Sequence, residues 1–172
     1  MNKYVLTGGP SCGKTTIINE LKNLGYSVLE EVAREVHSEK KWQLGKELEL
    51  EILSRQLKKE RNLDPLNQNY FLDRGVYDIH AYCQHLLRHI PKEVSSSNSQ
   101  YSLIFLLDLL PFENDGLRIE KDIEEAKQVQ TLIKQIYENQ GYTLIQVPVL
   151  PVKERTNFIL NHIRSYENGN RS

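Results

Sequence analysis

Cysteine is scarce in this sequence: Cys12 and Cys83 are the only two, too few to build a disulfide framework. A single domain of 172 residues buries about 70% of its unfolded surface and needs neither disulfide nor metal to hold it together. Long apolar runs are also missing. None approaches the roughly 18 residues required to cross a bilayer, and no basic start with an apolar core and cleavage site marks a leader. The expectation is a chain that is neither exported nor membrane-spanning. Charge of one sign is not in excess, with 22 Lys and Arg against 23 Asp and Glu, so no broad surface for nucleic acid or acidic lipid is expected. Repeats, a dividing linker, a GxSxG elbow and a CxxC pair are all absent, which removes a hydrolase triad and structural zinc and leaves residues 1–172 as one domain.

What is present begins at Gly8. Gly8, Gly9, Pro10, Ser11, Cys12, Gly13, Lys14 and Thr15 satisfy GxxxxGK[ST] at every required position. They follow the apolar run Tyr4-Val5-Leu6, which reads as a first strand, and precede a helical pattern of Ile17, Ile18, Leu21 and Leu24. Glycines let successive backbone N–H groups curl around phosphate oxygens; Lys14 reaches the β- and γ-phosphates, and the Thr15 hydroxyl holds Mg²⁺, with Thr16 completing the nucleotide-binding set. A nucleoside triphosphate is therefore expected, ATP first, with GTP fitting the same loop. A disulfide at Cys12 would obstruct that ligand, so a reducing cytoplasm is the expected compartment.

Strand-like runs recur at Tyr4–Thr7, Ser27–Glu30, Tyr70–Asp73, Ser102–Leu107 and Thr143–Val147, separated by segments of helical period. Strands alternating with helices give an α/β fold with a parallel sheet. Helices are expected over Lys46–Arg61, from Val76 to Ile90 and from Ile119 to Ile136. Pro91–Gln100 reads as a flexible polar connection and Gly169–Ser172 as a frayed end. His85 and His89, with Asp78 and Tyr82 along the same helix, lack a third ligand of suitable spacing and read as a solvated face rather than a zinc site.

In a parallel α/β sheet, ligands lie beyond the carboxyl ends of the strands. The second strand delivers Glu30-Glu31 with Arg34 one turn on, the third Asp73-Arg74-Gly75, and the fourth Asp108. Asp73 is expected to face the phosphate loop and hold Mg²⁺ or its waters if its strand lies beside the first; its plainer reading is a helix N-cap. Arg74 forks to a phosphate or pairs with a surface acid. Glu31 accepts a proton from a substrate hydroxyl, with Arg34 beside it for the acceptor, or merely complements a helix dipole. Arg118, in a polar stretch after the fourth strand, is placed for a lid that closes over the γ-phosphate, or is a surface arginine near a helix start. Pro148, in Val147-Pro148-Val149-Leu150-Pro151, offers apolar backbone for a purine or makes a plain rigid turn.

With the P-loop, Glu31-Val32-Ala33-Arg34-Glu35 and Asp73-Arg74-Gly75-Val76-Tyr77-Asp78 in hand, the chain resembles the AAA-type P-loop ATPase/kinase family related to nicotinamide riboside kinase domains. The likeness extends through Asp115-Gly116-Leu117-Arg118, Gly141-Tyr142 and the stretch from Pro148 to Arg155. Asp73-Arg74-Gly75 is similar to the acid-Arg motif of deoxynucleoside and thymidylate kinases, although Gly75 stands where the deoxynucleoside kinases usually carry Ser. The resemblance implies a P-loop NTPase three-layer sandwich: a five-stranded parallel sheet of order 2-3-1-4-5, helices on both faces and a lid after strand 4. It implies a Mg²⁺-dependent phosphotransferase that moves a phosphoryl group from ATP to a nucleoside-like hydroxyl. The alternative it carries is a nucleotide switch that uses residues 31–69 to meet a protein or lipid. The expected partners are a nucleoside triphosphate and a small-molecule acceptor, with a homodimer admitted and nucleic acid and a membrane span excluded.

Overall fold

The sheet is built around β1 (Asn2–Thr7), whose Tyr4, Val5 and Leu6 are fully buried because both faces are covered. The structure, a computed structural model, describes residues 1–67, 69–111 and 122–169. In chain order β1 is followed by α1 (Lys14–Asn23), β2 (Ser27–Leu29), α2 (Val32–Ser38), α3 (Lys46–Arg61), β3 (Asn69–Asp73) and α4 (Val76–Leu87). Then come α5 (Lys92–Ser95), β4 (Leu103–Leu107), α6 (Ile123–Asn139), β5 (Leu144–Val147) and α7 (Val152–Gly169). All strands pair in parallel in the order β2-β3-β1-β4-β5. The expected P-loop sandwich is therefore present.

Strand alternation sends side chains to two layers. Tyr4, Leu6, Phe71 and Phe105 pack with Ile17, Ile18 and Leu21 of α1 and Ile159 and Ile163 of α7. Val5, Leu72, Ile104 and Leu106 face Tyr77 and Ala81 of α4 and Val129, Ile133 and Tyr137 of α6. A third cluster, with Val36, Leu48, Ile52, Ile79 and Val94, fixes α2, α3 and α5 against α4. Register sets the site: Leu6 lies opposite Asp73, and Thr7 opposite Leu106, so β1 and β3 end side by side where the chain leaves the sheet.

Two expectations are corrected. Pro91–Gln100 is not a plain flexible link, because Val94 is fully buried in the third cluster, Ser97 Oγ donates to the Val94 carbonyl at 2.6 Å, and Ser99 Oγ receives Lys3 Nζ at 2.8 Å. Nor is the Asp78–His85 side of α4 solvated. α4 packs between α3 and α6, so Asp78 and His85 are buried, and His85 Nε2 lies 3.1 Å from Glu125 Oε1. His89 does stand exposed, and no group of three metal-ligating side chains forms among the described residues. α6 starts at Ile123, whereas Ile119 lies outside the described residues; Gly169 belongs to α7, and residues 170–172 are likewise outside. No described helix is long and apolar enough to cross a membrane.

Gly75 caps α4 in extended backbone, and its glycine identity is set by neighbours rather than by dihedral angles. A Cβ there would lie 2.7 Å from the Tyr101 hydroxyl and 2.8 Å from the Tyr137 hydroxyl. Gly75→Ser is accordingly expected to destabilise by about 1–3 kcal/mol through overpacking. For a chain of this size each kcal/mol lowers the melting temperature by roughly 2–4 °C. Thermal melting followed by circular dichroism tests this, and an unchanged midpoint would show that the two tyrosines move aside freely.

Candidate functional site

The loop from Gly8 to Gly13 is held in a phosphate-cradling shape by close backbone approaches. Gly8 (φ 147°) approaches so closely that a Cβ would sit 2.9 Å from both Cys12 Sγ and the Leu107 carbonyl. Gly13 (φ 76°) turns the chain into α1, which begins at Lys14 and points its N-terminus at the loop. Lys14 is buried, its Nζ 3.9 Å from Cys12 Sγ. Three supports escaped the sequence reading. Gln130 of α6 accepts from Gly9 N–H and donates to the Leu107 carbonyl at 3.0 Å, tying the loop to β4. Arg155 of α7 donates Nη1 to the Cys12 carbonyl at 2.8 Å, reaching the loop from the other side. The Leu110 N–H closes onto the Ser11 carbonyl at 2.9 Å.

Asp73 ends β3 beside the loop, as strand adjacency required. It is not an N-cap: Gly75 occupies that position, and the Gly75 N–H bonds Asp78 Oδ2 at 2.9 Å. Asp73 is 4% exposed and its Oδ1 is a buried oxygen with no hydrogen-bond partner among the described residues. Burial pushes its carboxyl up to about 6; Lys14 pulls it back, and Glu31 adds to the rise. A buried carboxylate oxygen without a donor is the kind of group a cation satisfies. A hard carboxylate oxygen suits Mg²⁺, an ion that keeps several waters and takes its remaining ligands from phosphate.

Next along the chain, Arg74 adopts φ 73° and turns inward. Its Nε donates to Glu31 Oε1 at 2.8 Å, Nη1 to Asp78 Oδ1 at 3.0 Å and to the Gly8 carbonyl at 3.2 Å, and Nη2 to the Tyr82 hydroxyl at 3.2 Å. Four of the five guanidinium donors are thereby engaged inside the protein. A surface pairing is thus ruled out, and a full fork to phosphate would have to break existing bonds. Asp78, read from sequence as part of an exposed face, is the second anchor. Its carboxylate also accepts from Thr7 Oγ1 at 2.5 Å and Tyr137 OH at 2.7 Å. Nothing in the sequence pattern marks it beyond its place one helical turn after Arg74.

Glu31 is the N-cap residue of α2 and carries no side-chain cap bond; its carboxylate is turned instead toward Arg74. Burial pushes its carboxyl up, but Arg74, Lys14 and Arg34 outweigh that and hold it at about 2. Arg34 is mostly exposed, with Nε 3.6 Å from Glu31 Oε2. A cavity of about 730 Å³ opens between the P-loop, α2, α3 and α4, and Pro10 through Thr16, Glu31, Arg34 and Arg74 all line it. Pro148 does not; it lies after β5, on the side of the loop that Arg155 approaches. Arg118 lies outside the described residues.

A family model described as an AAA domain matches residues 3–155. The chain belongs to that family. No curated protein matches it. Among solved structures, this AAA domain is similar to NadR in complex with NR (TM-score 0.74, 16% identity, 96% of this chain and 50% of that one). It is also similar to thymidylate kinase from Ehrlichia chaffeensis (TM-score 0.69, 12% identity, 94% and 98% of the two chains). Deoxyadenosine kinase from M. mycoides gives a TM-score of 0.66 at 16% identity, over 95% and 98% of the two chains. Identities this low establish the shared fold, and the AAA domain spans half the length of the NadR chain.

The Asp73 environment has a thermodynamic signature. Because its folded value of about 6 lies above the ordinary 3.8, ionisation of Asp73 destabilises the fold above about pH 6, and the penalty disappears below about pH 4. Asp73→Asn is expected to stabilise the ligand-free protein at pH 7.5 by on the order of 2 kcal/mol and by nothing at pH 3.5. Urea unfolding at the two pH values measures it. A variant less stable than the original at pH 7.5 would show that Asp73 supports the fold instead of a ligand.

Proposed function

We propose that this AAA domain is a kinase that transfers the γ-phosphoryl group of ATP, with Mg²⁺, to a hydroxyl of a small nucleoside-like acceptor. The observation that carries the reading is the cavity of about 730 Å³ that continues from the P-loop past Glu31 to α3. A site that only holds and hydrolyses a triphosphate has no use for space that runs on from the phosphate loop to α3, and the cavity as a whole is of small-molecule size. That the structural neighbours are described as deoxyadenosine and thymidylate kinases agrees with it.

In this reading Gly8 to Thr16 wrap the triphosphate, Lys14 neutralises its β- and γ-oxygens, and Thr15 and Asp73 hold the metal. Bound there, Mg²⁺ would offset charge on the phosphate oxygens. The acceptor hydroxyl lies against Glu31. Its oxygen forms a bond to the γ-phosphorus as the bond to the bridging oxygen breaks, ADP departs, and the hydroxyl proton passes to Glu31 and on to solvent. A carboxylate held at about 2 is a weak base, so its main contribution is to orient the hydroxyl. Orientation counts for more than basicity where the transition state is loose. Arg74 fixes Glu31, Arg34 extends the acceptor wall, Arg118 covers the γ-phosphate in a lid, and Pro148 contributes to a purine rest. GTP is an admissible donor, and the compartment is cytoplasmic.

The experiment is a screen of nucleosides for acceptor-stimulated ADP release, with mass detection of the product. Lys14→Ala is expected to lower turnover by about 10² or more, the usual cost of losing one preorganised charge contact. Glu31→Gln is expected to keep ATP binding and slow background hydrolysis yet lose transfer, whereas Arg118→Ala depresses both. Normal transfer by Glu31→Gln would remove Glu31 from the chemistry. If no acceptor is found while a protein or lipid binds the ATP and ADP forms differently, the domain is a nucleotide switch.

A further inference from the structure

Glu49 has no role in the chemistry above, yet it lines the same cavity. It sits on α3 with Ile52 and Gln56, at the i, i+3, i+7 spacing that puts all three on one helix face. Glu49 is 3% exposed and makes no side-chain hydrogen bond or ion pair among the described residues. Buried carboxylates ordinarily have a cation or several N–H donors; Glu31, on the opposite wall, has three cations around it. Val32, Ile52 and Ile79 line the cavity with it, Gln56 shares its helix face, and the buried thiol of Cys83 on α4 lies within reach of its charge.

In such surroundings the neutral acid is favoured, and burial alone pushes the Glu49 carboxyl up to about 7. The neutral acid presents one O–H donor and one carbonyl acceptor side by side. Many nucleobase edges are the complement of that pair, with a donor next to an acceptor in the plane of the ring. The apolar lining from Val32, Ile52 and Ile79 suits the ring faces.

We infer that Glu49 selects the acceptor by a paired hydrogen bond to the edge of its nucleobase. This rests on the kinase reading and names the far end of the same acceptor. The acceptor hydroxyl meets Glu31 at the phosphate end, and the ring reaches α3. An acceptor without a donor–acceptor edge leaves Glu49 unpaired and is rejected, since discrimination against a missing hydrogen-bond partner is strong.

Other titratable groups also face the cavity. Glu31, Arg34, His37 and Lys40 do so from α2 and the turn after it, and Lys14 from the P-loop. Arg74, Asp78 and Tyr82 do so from the α4 side, with Cys83 behind them, and the Lys46–Glu93 pair spans α3 and α5. Because these titrate too, the test compares variants rather than relying on one pH profile.

Calorimetric titration of adenosine, cytidine, guanosine and uridine into the original protein, Glu49→Gln and Glu49→Leu, without ATP, decides the matter. A parallel ATP titration verifies that each variant is folded. One or more of the nucleosides is expected to bind. Glu49→Leu should weaken that binding tenfold or more, and Glu49→Gln, whose amide also offers a donor beside an acceptor, less than about threefold. From pH 6 to pH 8 the original protein should lose about tenfold more affinity than Glu49→Gln, as the acid form is titrated away. Equal binding by Glu49→Leu, or the same pH dependence in the original protein and Glu49→Gln, overturns the role of Glu49 and leaves the kinase reading standing. If ATP binds and no nucleoside does, both fall.

Discussion

A guanidinium sealed into the carboxyl edge of the sheet organises everything around it. Arg74 is enclosed among Glu31, Asp78, the Gly8 carbonyl and Tyr82, whose ring centroid lies 5.0 Å from the guanidinium carbon. Removing such a group from water costs several kcal/mol, offset only when opposite charge and good hydrogen bonds surround it. Here both conditions hold. One cation thereby fixes the start of α2, the end of β1 and the first turn of α4 relative to one another. Through Asp78 the constraint continues to Thr7 and to Tyr137 of α6. The P-loop and the α2 side of the cavity are thus parts of one electrostatic unit.

Within that unit three carboxyl groups have been driven apart by their surroundings. Glu31, with cations on several sides, is held ionised. Asp73 is buried with one oxygen unmatched, and Glu49 is buried without an ion pair among the described residues. Carboxylates sharing a site but differing in environment are how one fold assigns different duties to the same functional group.

The frame and the loop were legible in the sequence because both are local. Apolar runs of four to six residues mark the strands, the glycine pattern marks the P-loop, and Asp73 follows from strand adjacency. Pairwise contacts between distant elements were not legible. Asp78 and His85 looked solvated because polar spacing on a helix says nothing about whether another helix covers it. α6 covers this one, and its Tyr137 and Glu125 receive those side chains. Gln130 and Arg155 went unread for the same reason: each acts on the loop from a helix far along the chain. The third-strand motif shows the same logic from the other side. Gly75 stands where the deoxynucleoside kinases usually carry serine, and the hydroxyls of Tyr101 and Tyr137 fill the space that a side chain would need.

The Arg155 contact has a temporal meaning. It joins residues 143 positions apart, from the last helix back to the first loop. During synthesis β1 emerges well before its neighbours β3 and β4 and before the clamp on Cys12. Chains fold roughly as they are made, but contacts this distant await the partner's arrival. A ribosome-bound chain lacking α7 therefore carries the complete GxxxxGK[ST] sequence without the brace that α7 supplies on one side of the loop.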